Sequence, residues 1–131
     1  MAQGLQHAGQ YVIEDLASSG IDQMTIVLGD AYPEKVRDCY GNGSKFGIKI
    51  SYIHQNGAQG IAHAVGLCKN YVKDDPFIVY LGDNLLKGGI KNFVEKFRNS
   101  SFDAMLLLCK VNDPERFGVA NLDKAGKLIN L

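Results

Sequence analysis

The feature of this sequence that most constrains its fold is an alternation of short apolar runs with segments of helical periodicity. The runs Met24–Leu28 and Phe77–Leu81 are short and rich in β-branched or aromatic residues, which is typical of buried strands. Elsewhere, apolar residues recur every three or four positions, as at Ile90, Phe93 and Phe97. Strands that alternate with helices of this length predict βαβ units and a mostly parallel sheet.

The same criteria divide the whole chain into predicted elements. Helices are expected around Val12–Ala17, at Pro33–Tyr40, after Gly57 to about Tyr71 and around Ile90–Phe97. Strands are expected at Met24–Leu28, Lys49–Ile53, Phe77–Leu81, Ala104–Val111, Val119–Leu122 and Lys127–Leu131. Turns are expected at Gly41–Ser44 and Asp123–Gly126. Because no internal repeat or linker interrupts this order, we predict one α/β domain over residues 1–131, a three-layer, Rossmann-like fold.

Charge and hydropathy exclude several classes of partner. Fourteen basic residues balance fourteen acidic ones, so no net field favours nucleic acid or an anionic membrane surface. The longest apolar runs, such as residues 104–109, are far too short to span a bilayer. The first ten residues, MAQGLQHAGQ, lack the basic and apolar regions of a secretory signal. We therefore expect a cytoplasmic protein with neither a nucleic-acid nor a membrane partner.

The cysteine pattern is consistent with that expectation. Cys39, Cys68 and Cys109 are an odd number and form no C-x-x-C pair. Each lies among apolar or helical neighbours, which favours buried, reduced thiols. His63 and Cys68 are five residues apart and fall poorly on one helical face, so a metal site there is disfavoured.

The stretch FIVYLGDN, residues 77–84, ends an apolar run on a carboxylate. Gly82, Asp83 and Asn84 are common turn residues, which offers a purely structural explanation. Alternatively, Asp83 lies at the carboxyl end of a central strand, where open α/β sheets place ligand and metal sites. Position alone does not decide between these interpretations.

Longer stretches of the chain resemble a known family. They are YVIEDL, PEKVRDCYGNGSKFGIKISYI, QNGAQGIAHAV, VYLGDN and DPERFGVANLD. In this order, from about Tyr11 to Leu131, they resemble sugar-1-phosphate nucleotidyltransferases of the glucose-1-phosphate thymidylyltransferase-like type. The resemblance implies an incomplete nucleotide-diphospho-sugar transferase fold. It also implies an enzyme that joins a nucleoside triphosphate to a sugar 1-phosphate and releases pyrophosphate, with Mg²⁺.

The resemblance assigns roles to four residues. Asp83 matches a magnesium-binding Asp, and a hard cation that bridges phosphates needs only one or two carboxylates plus water. Gln55 matches a base-reading Gln, whose amide carries both donor and acceptor groups. Gly60 matches a Gly that lets the nucleotide lie against backbone, and Gly118 a Gly whose backbone faces the sugar. Taken singly, each has an ordinary explanation as a loop, helix-start, bulge or turn residue.

The chain also departs from the family pattern. Gln6 and His7 stand where the family has Lys-Pro, and no Gly-rich phosphate loop precedes them. The chain stops just short of the family's Glu-Lys-Pro, which binds sugar and phosphate. We therefore assign no catalytic residue and expect this chain alone to be weakly active or inactive. The alternative is a non-catalytic binding or assembly domain.

Other nucleotide-binding motifs fit poorly. Gly41-Asn42-Gly43 is too short for the G-x-G-x-x-G of an NAD-binding fold and follows a predicted helix instead of a strand. The run Gly41–Ser44 also lacks the Gly-Lys-Ser ending of a P-loop. Both classes are therefore disfavoured.

A last expectation concerns the sheet. In the family, the strand absent here lies between those that correspond to Met24–Leu28 and Phe77–Leu81. Each buried backbone group left unpaired costs about 1–3 kcal/mol. MAQGLQHAGQ is rich in Gly and Gln and is a poor replacement strand. We therefore expect either direct pairing of the two strands or a homo-oligomer that covers the exposed edge.

Overall fold

A computed structural model describes residues 2–116 and 118–130, and the side chains of residues 2–7 and 116 lie outside that description. The described residues form two compact units, one up to Arg98 and one from Asn99. Helices of the first unit are α1 (Ala2–Ser18), α2 (Pro33–Tyr40), α3 (Ile61–Leu67), α4 (Lys69–Val72) and α5 (Lys91–Arg98). Its strands are β1 (Gln23–Leu28) and β2 (Lys49–His54), and a 3-10 turn spans Ser44–Phe46. The single domain over residues 1–131 stays a prediction.

The predicted parallel arrangement is confirmed for the first two strands. β1 and β2 pair in parallel, with Gln23 opposite Lys49 and Leu28 opposite His54. Because parallel strands end at the same edge, the residues that follow Leu28 and His54 emerge side by side.

Local sequence accounts well for α2. Pro33 stands in its first turn, where a missing N–H costs nothing, and Glu34 lies near its positive end. The helix ends at Gly41, whose φ of 56° favours glycine and whose N–H donates to the Arg37 carbonyl at 2.8 Å. The predicted bounds of this helix, Pro33–Tyr40, are confirmed.

The core of the first unit lies where α1 meets the sheet. Ile13, at 2% exposure the most deeply buried large side chain among those described, clusters with Tyr40, Ile48 and Ile50. Burial of an apolar side chain of this size contributes about 1.5–3 kcal/mol. This cluster joins α1 and α2 to β2.

A second cluster joins α1 to α5. It consists of Val12, Leu16, Ile90 and Val94, with Tyr80 packed partly against it. The predicted helix around Ile90–Phe97 is confirmed as α5. The apolar side chains of α1 thus contribute to both clusters, because Val12 and Ile13 pack against different neighbours.

Two predicted strands are wrong. Residues 77–81 and 104–111 carry no strand pairing, because no neighbour within the described residues completes their hydrogen-bond ladders. The expected direct pairing of Phe77–Leu81 with Met24–Leu28 is also wrong, since β1 pairs with β2 in a two-stranded sheet. Apolar side chains of the segment stay exposed as a result, from 38% at Ile78 to 52% at Phe77. The alternative of a covering homo-oligomer stays a prediction.

The helix predicted after Gly57, to about Tyr71, is present but starts later and is divided in two. Gly57 and Gly60 have φ of 73° and 84°, values outside the right-handed helical region, so α3 begins only at Ile61. The helix is then interrupted at Cys68, and α4 follows as a separate turn.

The second unit contains an antiparallel hairpin. Its strands are β3 (Asn121–Leu122) and β4 (Leu128–Asn130), and a 3-10 turn spans Pro114–Arg116. The predicted turn between them is confirmed, because the Asp123 carboxylate accepts the N–H of Ala125 at 2.9 Å and of Lys127 at 2.8 Å. The strand predicted from Val119 is shorter than expected. Leu131 lies outside the described residues.

All three cysteines are free thiols. Cys39 and Cys68 are half-buried, whereas Cys109 is exposed, so the expectation of a buried thiol is wrong for Cys109. Among the described helices, none combines the length and apolar character needed to cross a bilayer.

Candidate functional site

The candidate site lies at the edge where β1 and β2 end. Gln55 follows the last residue of β2, and its N–H donates to the Leu28 carbonyl at 2.8 Å. This bond continues the parallel ladder one residue past the strand. The backbone of Gln55 is therefore held by the sheet, although the residue belongs to a loop.

The side chain of Gln55 is held as well. Its amide nitrogen, Nε2, donates to the Gly60 carbonyl at 3.2 Å and lies 2.9 Å from Nδ1 of His63. Because an amide nitrogen only donates, His63 Nδ1 accepts, which places the imidazole proton on Nε2. Both amide donors of Gln55 are thus engaged. Within the described residues, its carbonyl oxygen Oε1 forms no hydrogen bond and remains available as an acceptor.

Gly60 has a conformational reason to be glycine. Its φ of 84° and ψ of 170° lie in a region that L side chains rarely adopt. A Cβ added at this position would meet no atom within 4 Å. The backbone at Gly60 is therefore open to solvent on the side where a ligand could approach closely.

A second group of contacts ties the loop after β1 to the loop after β2. Asp30 accepts the N–H of Gly57 at 3.1 Å and lies 3.2 Å from Nε2 of His54. On its other side, His54 Nδ1 lies 2.8 Å from the Asn56 side-chain oxygen. The Asp30 and His54 side chains are 66% and 39% exposed, so this pair contributes at most about 1 kcal/mol. Its effect is to restrain the loop that carries Gln55.

The loop after β1 contains a strained residue. Tyr32 has a φ of 54°, an uncommon value for a residue with a side chain, and it directly precedes Pro33. Lys35 lies over the Tyr32 ring at 4.3 Å from its centroid. This contact places a cation over an aromatic ring in the loop that follows β1.

Asp83 occupies a turn, as the structural interpretation of GDN requires. The N–H of Asn84 donates to the Leu81 carbonyl at 3.0 Å, and Asp83 is exposed between them. Within the described residues, no hydrogen bond or ion pair links Asp83 to Gln55 or Gly60. The structure therefore brings Gln55 and Gly60 together but does not join Asp83 to them.

The donor set around Asp83 can be compared with what a metal needs. In the described part of the chain, no three His, Cys, Asp or Glu residues are grouped as a metal site. Mg²⁺ typically uses one or two carboxylates, with water and substrate phosphates as its other ligands. An exposed Asp83 is compatible with such an ion, and its metal role stays a prediction.

The other sequence-based candidates are placed as follows. Gly118 lies in the second unit, where a Cβ would meet nothing within 4 Å, and its sugar-binding role stays a prediction. The Cys68 thiol donates to the Ala64 carbonyl at 3.6 Å, and burial raises the pKa of this thiol. His63 contacts Gln55 instead, so these two side chains are not arranged as metal ligands. The side chains of Gln6 and His7 lie outside the described residues.

Asp30 and His54 were not predicted from the sequence, and His63 was considered only as a metal ligand, not as a partner of Gln55. A signal for Asp30 was present, because Leu28-Gly29-Asp30 repeats the pattern of Leu81-Gly82-Asp83 after an apolar run. His54 immediately precedes Gln55, and so it too lies at the strand end. His63 carries no such signal, since its contact with Gln55 spans eight residues of irregular loop and helix.

Comparison with known proteins identifies relatives of this chain. A family profile described as "Nucleotidyl transferase" matches residues 6–131. The chain is 40% identical over 122 residues to the low-salt glycan biosynthesis nucleotidyltransferase of Haloferax volcanii, covering 93% of this chain and 34% of that protein. It is 43% identical over 122 residues to the glucose-1-phosphate thymidylyltransferase of Streptomyces antibioticus, covering 92% of this chain and 34% of that protein. The chain thus spans about a third of the length of these curated relatives.

A solved structure extends the similarity to the fold. A Bacillus anthracis protein, assigned as a glucose-1-phosphate thymidylyltransferase and crystallised with sucrose, matches with a TM-score of 0.86 at 38% identity. The match covers 93% of this chain and 49% of that one. The predicted α/β, Rossmann-like fold of the nucleotide-diphospho-sugar transferase type, with an incomplete sheet, is confirmed by this match.

Proposed function

This chain belongs to the nucleotidyl transferase family, and on that premise we propose that it is the nucleotide-binding part of an enzyme that joins a nucleoside triphosphate to a sugar 1-phosphate. The thymidylyltransferase relatives supply the substrate class, a pyrimidine nucleoside triphosphate with glucose 1-phosphate. A whole enzyme of this kind is about three times as long as the region matched here.

The observation that carries the proposal is the restrained amide of Gln55. A loop glutamine without a role is usually mobile, and immobilising it costs about 1–2 kcal/mol of side-chain entropy. Here the side chain is held at two points, by the Gly60 carbonyl and by His63. Holding a side chain in advance of binding lowers the entropy that a ligand must offset. The arrangement therefore suits recognition of a ligand at the Oε1 acceptor.

The available acceptor favours one class of base. Thymine and uracil carry an N–H at ring position N3, which can donate to Oε1 of Gln55. Cytosine carries a lone pair at the same ring position and would face Oε1 acceptor to acceptor. Such a mismatch leaves polar groups unpaired, and we expect a preference of about tenfold or more for dTTP or UTP over CTP.

Two further roles are proposed for residues outside the Gln55 loop. Asp83 contributes a carboxylate to Mg²⁺, which would neutralise phosphate charge when bound. Gly118 offers backbone to the sugar. The exposed position of Asp83 and the open space around Gly118 support these assignments.

The isolated chain is proposed to bind nucleotide with negligible turnover. Phosphoryl transfer depends on several charged groups placed around the phosphates, and each is worth roughly 100-fold or more in rate. A chain that spans about a third of its curated relatives carries a part of that set. We further propose a cytoplasmic location, where its three free thiols would stay reduced.

Binding of dTTP, UTP and CTP, measured by calorimetry with and without Mg²⁺, tests this function. Gln55→Ala should weaken dTTP binding about tenfold and remove the preference over CTP. Gln59→Ala is the matched control, because Gln59 lies in the same loop and donates to the Asn56 carbonyl at 2.8 Å. Equal binding of dTTP and CTP by the parent chain would contradict the proposal.

The metal role needs its own variant. Asp83→Asn should remove the gain in affinity that Mg²⁺ gives while the circular dichroism spectrum stays unchanged. Asp75→Asn, at another exposed carboxylate, should retain that gain. An unchanged Mg²⁺ dependence in Asp83→Asn would leave Asp83 as a turn former only. Robust pyrophosphate release from dTTP and glucose 1-phosphate by this chain would contradict the proposed lack of turnover.

A further inference from the structure

One carboxylate on α1 reaches both ends of the loop that carries Asp83. We define the Asp83 loop as residues 81–89. Just before it, the Tyr80 hydroxyl lies 3.4 Å from Oδ2 of Asp15. Just after it, the N–H of Ile90 donates to Oδ1 of Asp15 at 3.0 Å. The two contacts use different oxygens of one side chain, so Asp15 can hold both ends at once.

The bond to Ile90 is the stronger of the two. Its length is ordinary for an N–H donor, and a charged acceptor roughly doubles the strength of a hydrogen bond. Ile90 directly precedes α5, so Asp15 also supplies a negative charge at the N-terminal end of that helix. The Tyr80 contact is longer, and its hydroxyl also interacts with the backbone of Leu86 inside the loop.

The Asp83 loop is built to approach Asp15 closely. Gly89 has a φ of 73°, and a Cβ built on it would lie 2.5 Å from Oδ1 of Asp15. Within the loop, the N–H of Gly89 donates to the Leu86 carbonyl at 3.1 Å, and the N–H of Asn84 to that of Leu81 at 3.0 Å. The loop is therefore two linked turns whose outer ends meet one carboxylate.

We propose that Asp15 is a positioning residue that sets the place of Asp83 by holding both ends of the Asp83 loop. Asp15 does not touch the ligand itself, and it acts through Tyr80 and Ile90. The consequence for Mg²⁺ rests on the proposed function, since it requires that Asp83 binds the metal. The hold on the loop does not depend on that function and can be measured without any ligand.

Amide spectra and hydrogen exchange of the ligand-free chain test the hold on the loop. In Asp15→Ala, the Ile90 amide should exchange about tenfold or more faster, and the amide resonances of Asp83 and Asn84 should shift. Asp15→Asn should restore both in part, because its side-chain oxygen can still accept from Ile90 and its amide nitrogen can donate to the Tyr80 hydroxyl oxygen. Glu14→Ala is the matched control, since Glu14 is the neighbouring carboxylate and, within the described residues, accepts its hydrogen bond locally, from Gln10 at 2.7 Å.

Two outcomes would overturn the proposal in the ligand-free chain. One is a faster Ile90 exchange with unmoved Asp83 and Asn84 resonances, which would mean that Asp15 caps α5 without positioning the loop. The other is a uniform rise of exchange across the first unit, which would mean a purely structural role.

Binding of dTTP separates this inference from the proposed function. Asp15→Ala should reduce the gain in dTTP affinity given by Mg²⁺ by about tenfold or more, and leave affinity without Mg²⁺ unchanged. Equal losses with and without Mg²⁺ would overturn the positioning role. If the parent chain binds no dTTP, the proposed function fails, and the exchange data alone decide whether Asp15 positions the loop.

Discussion

Gly89→Ala tests the contact geometry around Asp15 through stability. The new methyl group would stand 2.5 Å from Oδ1 of Asp15, well inside van der Waals contact. Asp15 can relieve this only by rotating away, which breaks its hydrogen bond to Ile90 at 3.0 Å. A hydrogen bond to a charged group contributes about 1.5–3 kcal/mol. An alanine at a φ of 73° adds a conformational cost of about 1–2 kcal/mol.

Gly88→Ala is the control that isolates the contact. Gly88 has a φ of 91°, and a Cβ there would meet nothing within 4 Å. This variant therefore carries the conformational cost without the contact with Asp15. We expect Gly89→Ala to lower the free energy of unfolding by about 2.5–5 kcal/mol and Gly88→Ala by about 1–2 kcal/mol.

Urea unfolding followed by circular dichroism measures both free energies. The decisive comparison repeats the two glycine variants in an Asp15→Ala background. There the carboxylate is gone, so the difference between Gly89→Ala and Gly88→Ala should fall below about 0.5 kcal/mol. Two glycine variants that are equally destabilised in the parent chain would refute the reasoning.

Three further predictions concern stability and thiol chemistry. Gly43→Ala should lower the free energy of unfolding by about 2–5 kcal/mol, because the new Cβ would meet the Ile48 carbonyl and the Ile50 side chain. Gly47→Ala, where a Cβ would meet no atom within 4 Å, should lower it by about 1–2 kcal/mol; urea unfolding measures both values. Burial raises the pKa of Tyr40, so the stability that its protonated hydroxyl contributes is fully present below about pH 10 and is lost as the pH rises above that value. Tyr40→Phe should therefore flatten the fall in the free energy of unfolding at alkaline pH. A thiol reagent should modify exposed Cys109 before Cys68, whose pKa burial raises, and simultaneous modification would contradict this.

The sequence was informative wherever a few neighbouring residues decide the outcome. The bounds of α2 follow from Pro33 and Gly41, and β1 and β2 follow from their β-branched runs. The family could also be identified from the sequence, because the motifs around Gln55 and Asp83 follow one another in the order that the family shows. Each of these features depends on neighbouring residues, so it can be predicted without knowing which distant segments are in contact.

The secondary structure of Phe77–Leu81 could not be predicted from local sequence alone. Its composition is that of a strand, but a strand exists only when another segment supplies the complementary hydrogen bonds. Within the described residues no such neighbour is present, and the apolar run stays exposed. Strand propensity says only that a segment can adopt the extended conformation, whereas strand pairing requires a neighbouring segment that supplies the backbone hydrogen bonds.

The candidate site shows the same division between local and distant information. Gln55 was predicted from its motif, whereas its restraint by His63 depends on how α3 is placed after two glycines of positive φ. Asp15 lies in the stretch YVIEDL, which indicates the family but assigns this residue no role, and its partner Ile90 lies 75 residues further along the chain. Residue types and local periodicity thus predicted many of the elements, and the resemblance of longer stretches indicated the family and the ligand class to expect. Only the tertiary structure decided which side chains hold those residues in place, because such contacts arise from packing between segments that the sequence separates.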